Sequence, residues 1–431
     1  MLRAVPAIRR DPLTFLEELV ARYGDAVAFP MPRGQALLVN DPEGARRVLV
    51  ENARAYGKAT VQYGALSLVT GAGLLTTDGE VWRRHRRAAQ PAFHVRHLDR
   101  VAAAALTAAD RMRAEWDAAA DGVVDADGAA MRAMLEVVGR TLFEADLRPV
   151  GERVVGAVDD ALHAVVRTAA SPLPAWWPTR RRARLRRAVA TLDAVSADLV
   201  TARRAAAPGP DAADVLALLL AAPDLAPREV RDEIVTLVIA GHETVASSLT
   251  WTLDLLADNA GVQSALHAEL DAVLAGRAPS WDDVPRLPYT RAVVDEALRL
   301  YPPAWVITRR ALSDDVVAGV PVPAGTLVIL SPWLLHRRPA SWPDPLRFDP
   351  ARFLGAGAAS RGPARGDYVP FGAGPRLCIG RESALVEAVL VLAGLLRDRR
   401  IARPPAARRP AVDALVTLRP RGGLPLALTP R

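Results

Sequence analysis

Phe371–Gly380 reads FGAGPRLCIG and holds the only cysteine of the chain, Cys378, between a glycine-containing turn and the start of an apolar stretch. Gly372 and Gly374 allow the backbone to bend back, so that amide N–H groups can face the sulfur without a Cβ clash. The stretch 380–397 reads as a helix, whose positive end favours a deprotonated sulfur. Gly380 leaves room for a flat group against that helix start. Arg376, two residues before the cysteine, can extend past the sulfur to bind an anion such as a carboxylate. A lone cysteine excludes an intrachain disulfide framework. It cannot satisfy tetrahedral zinc either, because no CxxC or paired-histidine spacing supplies the other ligands. A macrocycle that brings its own four nitrogens needs only one protein ligand, so haem fits a solitary cysteine better than zinc does.

Working outward, the segment upstream of this loop, from Pro302 to about residue 370, is rich in proline and reads as short strands, turns and a long irregular stretch. Before it, residues 95–275 are almost continuously helical in pattern, with punctuation at Pro172–Pro178 and Pro208–Pro210. Residues 12–23 (PLTFLEELVARY) and 42–51 read as helices, 25–30 and 35–40 as strands, and ALVTLRP and GLPLAL near the end as short strands. The fold class is therefore mainly α with a minor β part. No internal repeat and no clean linker divides it, so residues 1–431 are expected to form a single large helical domain.

A second constellation lies in Pro227–Leu256, an apolar run opened by proline, with AGHET at Ala240–Thr244 in its middle. The Thr244 hydroxyl can bond the carbonyl of Ala240 one turn back, and Gly241 lowers the local cost of distortion. Together they are expected to open a groove that suits dioxygen lying on a metal. Glu243 and Thr244 then form an acid and an alcohol able to relay protons. Read alone, the pentapeptide is equally an ordinary buried helix with a tolerated glycine.

FGAGPRLCIG resembles the haem-binding loop FxxGxRxCxG of the cytochrome P450 family at each fixed position, and AGHET resembles that family's oxygen-activation motif [AG]Gx[DE]T. The resemblance runs from about residue 11 to the C-terminus. It implies the cytochrome P450 fold, haem b bound through Cys378, and Phe371, Gly372, Arg376, Gly380, Ala240 and Gly241 around the cofactor. His242 falls at the variable position and is not expected to be a ligand. WRRHRRAAQPAF resembles the family's WxxxR helix, which implies haem-propionate contacts from Trp82 and Arg86. Arg309 matches a further propionate position, with Arg310 as an off-by-one competitor. PYTRAVVDEALRLYPP and FDPARF resemble the segments of the family's Glu–Arg–Arg cluster, here Glu296, Arg299 and Arg352, which supports the haem loop. The intact acid–alcohol pair, Glu243 and Thr244, speaks against the branch that works without dioxygen and external protons.

The implied activity is a soluble, bacterial-type haem-thiolate monooxygenase acting on an apolar small molecule, with dioxygen as co-substrate. Family topology places pocket residues at Leu66–Leu75, read as a loop, at Leu237 and Ala240, at Ala304–Ile307 with Trp305 as the bulky aromatic, and at Ala414–Val416. With no GxGxxG or CxxC run for a fused reductase, electrons are expected from a separate acidic ferredoxin and its reductase, docking near Arg83, Arg84 and Arg87. A haem-carrying module that performs no oxidation is the rival reading, and it makes Thr244 expendable.

The 431 residues carry 55 Lys and Arg against 48 Asp and Glu, a net charge of +7. That balance alone invites a nucleic-acid reading. However, Lys58 is the one lysine, and the arginines, including the run Arg180–Arg187, read as solvated helix faces without aromatic interleaving. No nucleic-acid partner is expected. Charged residues interrupt the first thirty positions, so neither a signal peptide nor a membrane anchor is expected, and the predicted location is cytoplasmic.

Overall fold

In the computed structural model, Pro227–Ala257 is one helix of 31 residues, roughly 46 Å long at the usual rise per residue. Pro227 sits where its missing N–H costs nothing, and Glu229 turns back to accept the Ala226 N–H at 2.9 Å. The structure describes residues 8, 10–31, 34–169, 179–205, 214–355 and 366–431. The expected breaks at Pro172–Pro178 and Pro208–Pro210 lie outside the described residues.

Two apolar cores form around the long helix because it buries nearly its whole circumference. Its C-terminal half packs with helices Leu98–Ala118, Ala126–Leu142, Pro288–Leu300 and Arg381–Leu396. Its N-terminal half packs with Val61–Thr70, Gly151–Ala169, Arg180–Ala205 and Val215–Ala221. The β part is small. Strand Gly34–Val39 pairs antiparallel with Ala26–Met31 and parallel with Leu327–Leu330, placing Leu37 beside Val328. Ile307–Ala311 and Tyr56–Gly57 complete that five-stranded sheet. Near the C-terminus, Val412–Ala414 and Leu418–Pro420 form a hairpin, and Pro425–Pro430 pairs with both Arg399–Ala402 and Val123–Asp125. No helix among the described residues is long and apolar enough to cross a membrane.

Two local differences from the sequence reading matter for the site. The stretch 42–51 is a short α-helix, Pro42–Arg46, continued by a wider π-type turn, Arg47–Glu51. That turn brings the Leu49 carbonyl against Gly374, where a Cβ would lie 2.0 Å from the oxygen. Half of the expected loop 66–75 is the end of helix Val61–Thr70, whose Val61 and Leu68 stay exposed. An apolar residue on the outer face erased the periodicity that marks an amphipathic helix.

Candidate active site

The loop before helix Arg381–Leu396 is shaped by its two glycines. Gly372 and Gly374 both take positive φ, +71° and +67°, a region that side chains disfavour. The turn closes through Gly372 N–H to Val369 O and Cys378 N–H to Phe371 O, each 3.0 Å. It leaves the Cys378 sulfur deep in the protein yet open to an internal cavity. Burial pushes the thiol up and outweighs the opposing pull of the Gly380 N–H and the guanidinium groups of Arg86 and Arg381. The ring of Phe93 lies against Gly380, 3.6 Å from where a Cβ would sit, an ordinary contact.

One wall of the same cavity is cationic. Arg376 lies over the Trp82 ring at 4.0 Å and donates to Thr77 O and Asp78. Burial, together with its neighbours Arg309 and Arg86, lowers it to about 10. Arg86 donates to Leu377 O at 3.1 Å. Strand alternation separates the two competing arginines. Arg309 is buried against the Tyr63 hydroxyl and lines the cavity, while Arg310 turns to Ala59 O and Gly325 O on the other side.

Lys58 belongs to this group and was not picked out by motif. It is 7% exposed, donates from Nζ to Leu75 O at 2.7 Å, and is held well below the usual lysine range by burial and by Arg309 and Arg376. Its being the sole lysine of an arginine-rich chain was the one available signal. Four cations thus share a wall where Asp78 is the carboxylate acting on Lys58 and Arg376. Buried like charges call for a counter-anion. Two propionates on the edge of a macrocycle, with a thiolate beneath it, match this donor set, so the residues present fit a haem.

Across the cavity stands the middle of the long helix. Ala240, Gly241, Glu243 and Thr244 all line the space. The Thr244 hydroxyl donates to Ala240 O at 2.7 Å, as expected. The expected groove is not formed by Gly241, because the helix runs on through it. A Cβ there would lie 2.8 Å from Val138, so the glycine serves the close approach of helix Ala126–Leu142. Glu243 is 1% exposed and accepts from Thr417 Oγ1 at 2.7 Å rather than from Thr244. His242 is buried and neutral, its Nδ1–H on Val238 O, and its Nε2 lacks a hydrogen-bond partner.

The cavity, about 360 Å³, has an apolar wall that includes Leu66, Leu74, Leu75, Leu237, Ala304, Val306, Ile307 and Val416. Residues 67–73, Trp305, Ala414 and Leu415, named as pocket candidates, lie outside it. The Trp305 indole N–H donates to Leu415 O at 2.9 Å, which draws the ring into a separate core with Leu16, Leu38 and Trp333. Behind the site, Glu296 and Arg299 form a buried bidentate pair at 2.6 and 2.8 Å, with Arg352 at 3.4 Å from the same carboxylate. The Arg299 guanidinium also donates to the carbonyls of His336, Pro345 and Arg347.

Comparison with known proteins matches this geometry to a family. The Cytochrome P450 family profile matches residues 4–424. The chain is 37% identical to cyclooctatin synthase of Streptomyces melanosporofaciens, over 96% of this chain and 91% of that one. It is 36% identical to pentalenene oxygenase of Streptomyces avermitilis, over 98% and 94% of the two. Among solved structures, the cytochrome P450DA heme domain superposes with a TM-score of 0.86 at 26% identity, covering 97% of this chain and 93% of that one. A Thermus thermophilus P450, CYP175A1, does so at 0.80 with 32% identity, covering 99% and 97%. The chain belongs to the cytochrome P450 family. It is a P450 monooxygenase with a haem-thiolate cofactor, acting with dioxygen on a small-molecule substrate.

Proposed function

We propose that this monooxygenase binds haem b through Cys378 and hydroxylates or epoxidises a terpenoid hydrocarbon, in secondary metabolism. The observation that carries the reading is the cavity itself, with the Cys378 sulfur below, Thr244 and Ala240 opposite, and Lys58, Arg86, Arg309 and Arg376 along one edge. In this reading Trp82 and the four cations hold the propionates, while Phe371, Gly372 and Gly380 shape the thiolate side. When bound, the haem supplies reductive activation of dioxygen, driven by the electron-rich thiolate.

The chain's own residues do the rest. Thr244 spends its hydrogen on Ala240 O, which leaves its oxygen free to accept a hydrogen bond from the cavity. Glu243 is the neighbouring group able to carry a proton. The leucine, valine and isoleucine walls exclude water and give a hydrocarbon no hydrogen bond to lose. Pentalenene oxygenase and cyclooctat-9-en-7-ol 5-monooxygenase, both relatives at 36% identity, support a terpenoid substrate.

Electrons come from a separate acidic ferredoxin and its reductase in the cytoplasm, to a protein that is one P450 unit over its 431 residues. Helix Gly79–Ala89 carries Arg83, Arg84 and Arg87. Arg84 is engaged with Glu229 and Arg83 with Glu80, and Arg83 and Arg87 are exposed. Turnover supported by ferredoxin is expected to weaken with salt and with Arg83→Glu. Indifference to both removes the docking assignment. For the substrate, the ferric protein is titrated with cyclic terpene hydrocarbons, fatty acids and macrolides while its spin state is followed. The reading predicts a shift with the terpenes and 18O-labelled product under 18O2; a response to the other classes alone overturns it.

A further inference from the structure

The turn of the C-terminal hairpin, Leu415–Thr417, reaches the cavity, where Val416 and Thr417 are part of the wall. Three anchors fix it. The Trp305 indole N–H holds Leu415 O, and Ser247 Oγ and the Trp251 indole N–H both donate to Leu418 O, at 2.6 and 2.9 Å. Arg419 bonds Asp127 at 2.6 Å and Asp159 at 3.3 Å. A hairpin held this firmly presents the Thr417 hydroxyl at a set place, and what it meets there is Glu243.

The bonding of Glu243 is unequal on its two sides. Toward the hairpin it accepts from Thr417 at 2.7 Å and has the Arg419 guanidinium at 3.8 Å. Toward the cavity it has no bond to Thr244, whose hydrogen is already committed to Ala240 O. Arg419 is shared with Asp127 and Asp159, so one guanidinium serves three carboxylates. That division leaves the neutral Thr417 hydroxyl as the one direct hydrogen bond to the Glu243 carboxyl among the described residues, with His242 Nε2 4.0 Å from its other oxygen. The adjoining side chain, Val416, lies on the substrate wall.

We propose that Thr417 is the positioning residue for Glu243: the anchored hairpin holds the Thr417 hydroxyl in place, and that hydroxyl fixes the direction in which the carboxyl faces at the cavity wall. The proposal rests on the reading of Glu243 as the proton-handling acid. Without the hydroxyl the carboxyl loses its fixed direction, and proton delivery to the cavity suffers.

The test uses the haem-loaded enzyme with Thr417→Val, which keeps the branched shape but removes the hydroxyl, Thr417→Ser, which restores it, and Glu243→Gln. The first readout is the infrared carboxyl band of Glu243, identified by its disappearance in Glu243→Gln. The wild type and Thr417→Ser are expected to share one band position, and Thr417→Val to show a shifted band. The second readout is product formed per reducing equivalent, expected to fall roughly fivefold in Thr417→Val, the worth of one hydrogen bond, and to recover in Thr417→Ser. Should Thr417→Val not fold, Thr417→Ala removes the same hydroxyl without the apolar methyl. A wild-type band position and wild-type coupling in the hydroxyl-less variant overturn the positioning proposal, while an impaired Glu243→Gln leaves the acid reading standing. Normal coupling in Glu243→Gln overturns the acid reading itself.

Discussion

His336 accepts the amide hydrogen of Val369 on Nε2 at 2.8 Å, and that bond joins the Glu296–Arg299 pair to the cysteine loop. On its other side His336 donates from Nδ1 to Arg299 O, and Val369 O in turn receives Gly372 N–H. Burial keeps the ring neutral, its pKa lowered to about 3, so it can serve as donor and acceptor at once across the working pH range. Glu296→Ala leaves Arg299 buried without its carboxylate, at a cost of about 3–5 kcal/mol. The expected result is protein that is misfolded or purifies without haem. Haem content and thermal midpoint equal to wild type would refute the support role.

Lys58 gives a sign that can be read from solution. The folded apoprotein releases the Lys58 proton well below pH 10.5, whereas the unfolded chain keeps it up to that value. The unfolded state therefore binds more protons between the two, and this group makes the apoprotein more stable as pH rises. Denaturant unfolding at about pH 7 and pH 9 is expected to show that rise in wild-type apoprotein and a weaker one in Lys58→Met. With haem bound, the same variant is expected to lose haem faster. Identical pH slopes and identical haem loss contradict the placement of Lys58 in the cationic wall.

Glu387 lines the cavity from helix Arg381–Leu396 with no hydrogen-bond or ionic partner among the described residues, and burial alone raises its pKa to about 8. The unfolded chain ionises this group near 4.5 while the fold keeps it protonated up to about 8. Its contribution is thus fully present below the lower value and is lost as pH rises through the upper one. Glu387→Gln, neutral at every pH, is expected to match wild type at acid pH and to exceed it at pH 8 by about 4 kcal/mol. Urea midpoints that differ by the same amount at both ends contradict this.

Thr244→Ala removes the oxygen that faces the cavity from one turn above Ala240. Electron uptake is expected to continue while product falls at least about tenfold and peroxide takes its place. A carrier that performs no oxidation predicts instead that this substitution changes nothing.

The cysteine loop was legible because its chemistry is contiguous: glycines, arginine and thiol lie within ten residues, and the turn they require is the turn that forms. The acid–alcohol pair was legible for the same reason, but its bonding was not. Thr417 lies 174 positions from Glu243, and nothing local tells a hydroxyl in a β-turn that a carboxylate on a distant helix will meet it. Trp305 was misplaced because its apolar area fits a pocket as well as a core, and the indole N–H settled the matter by finding Leu415 O. Gly241 lines the cavity, but its close packing on Val138 of the neighbouring helix was not legible from the motif.

The central claim is that the sulfur of Cys378 binds haem iron, and the absorption spectrum of the dithionite-reduced, carbon monoxide-treated protein tests it most directly. The wild type is predicted to give the long-wavelength Soret band of thiolate-ligated haem, and Cys378→Ser is predicted to lose that band. Its absence from correctly folded, haem-loaded wild type, or its persistence in the serine variant, would contradict the account.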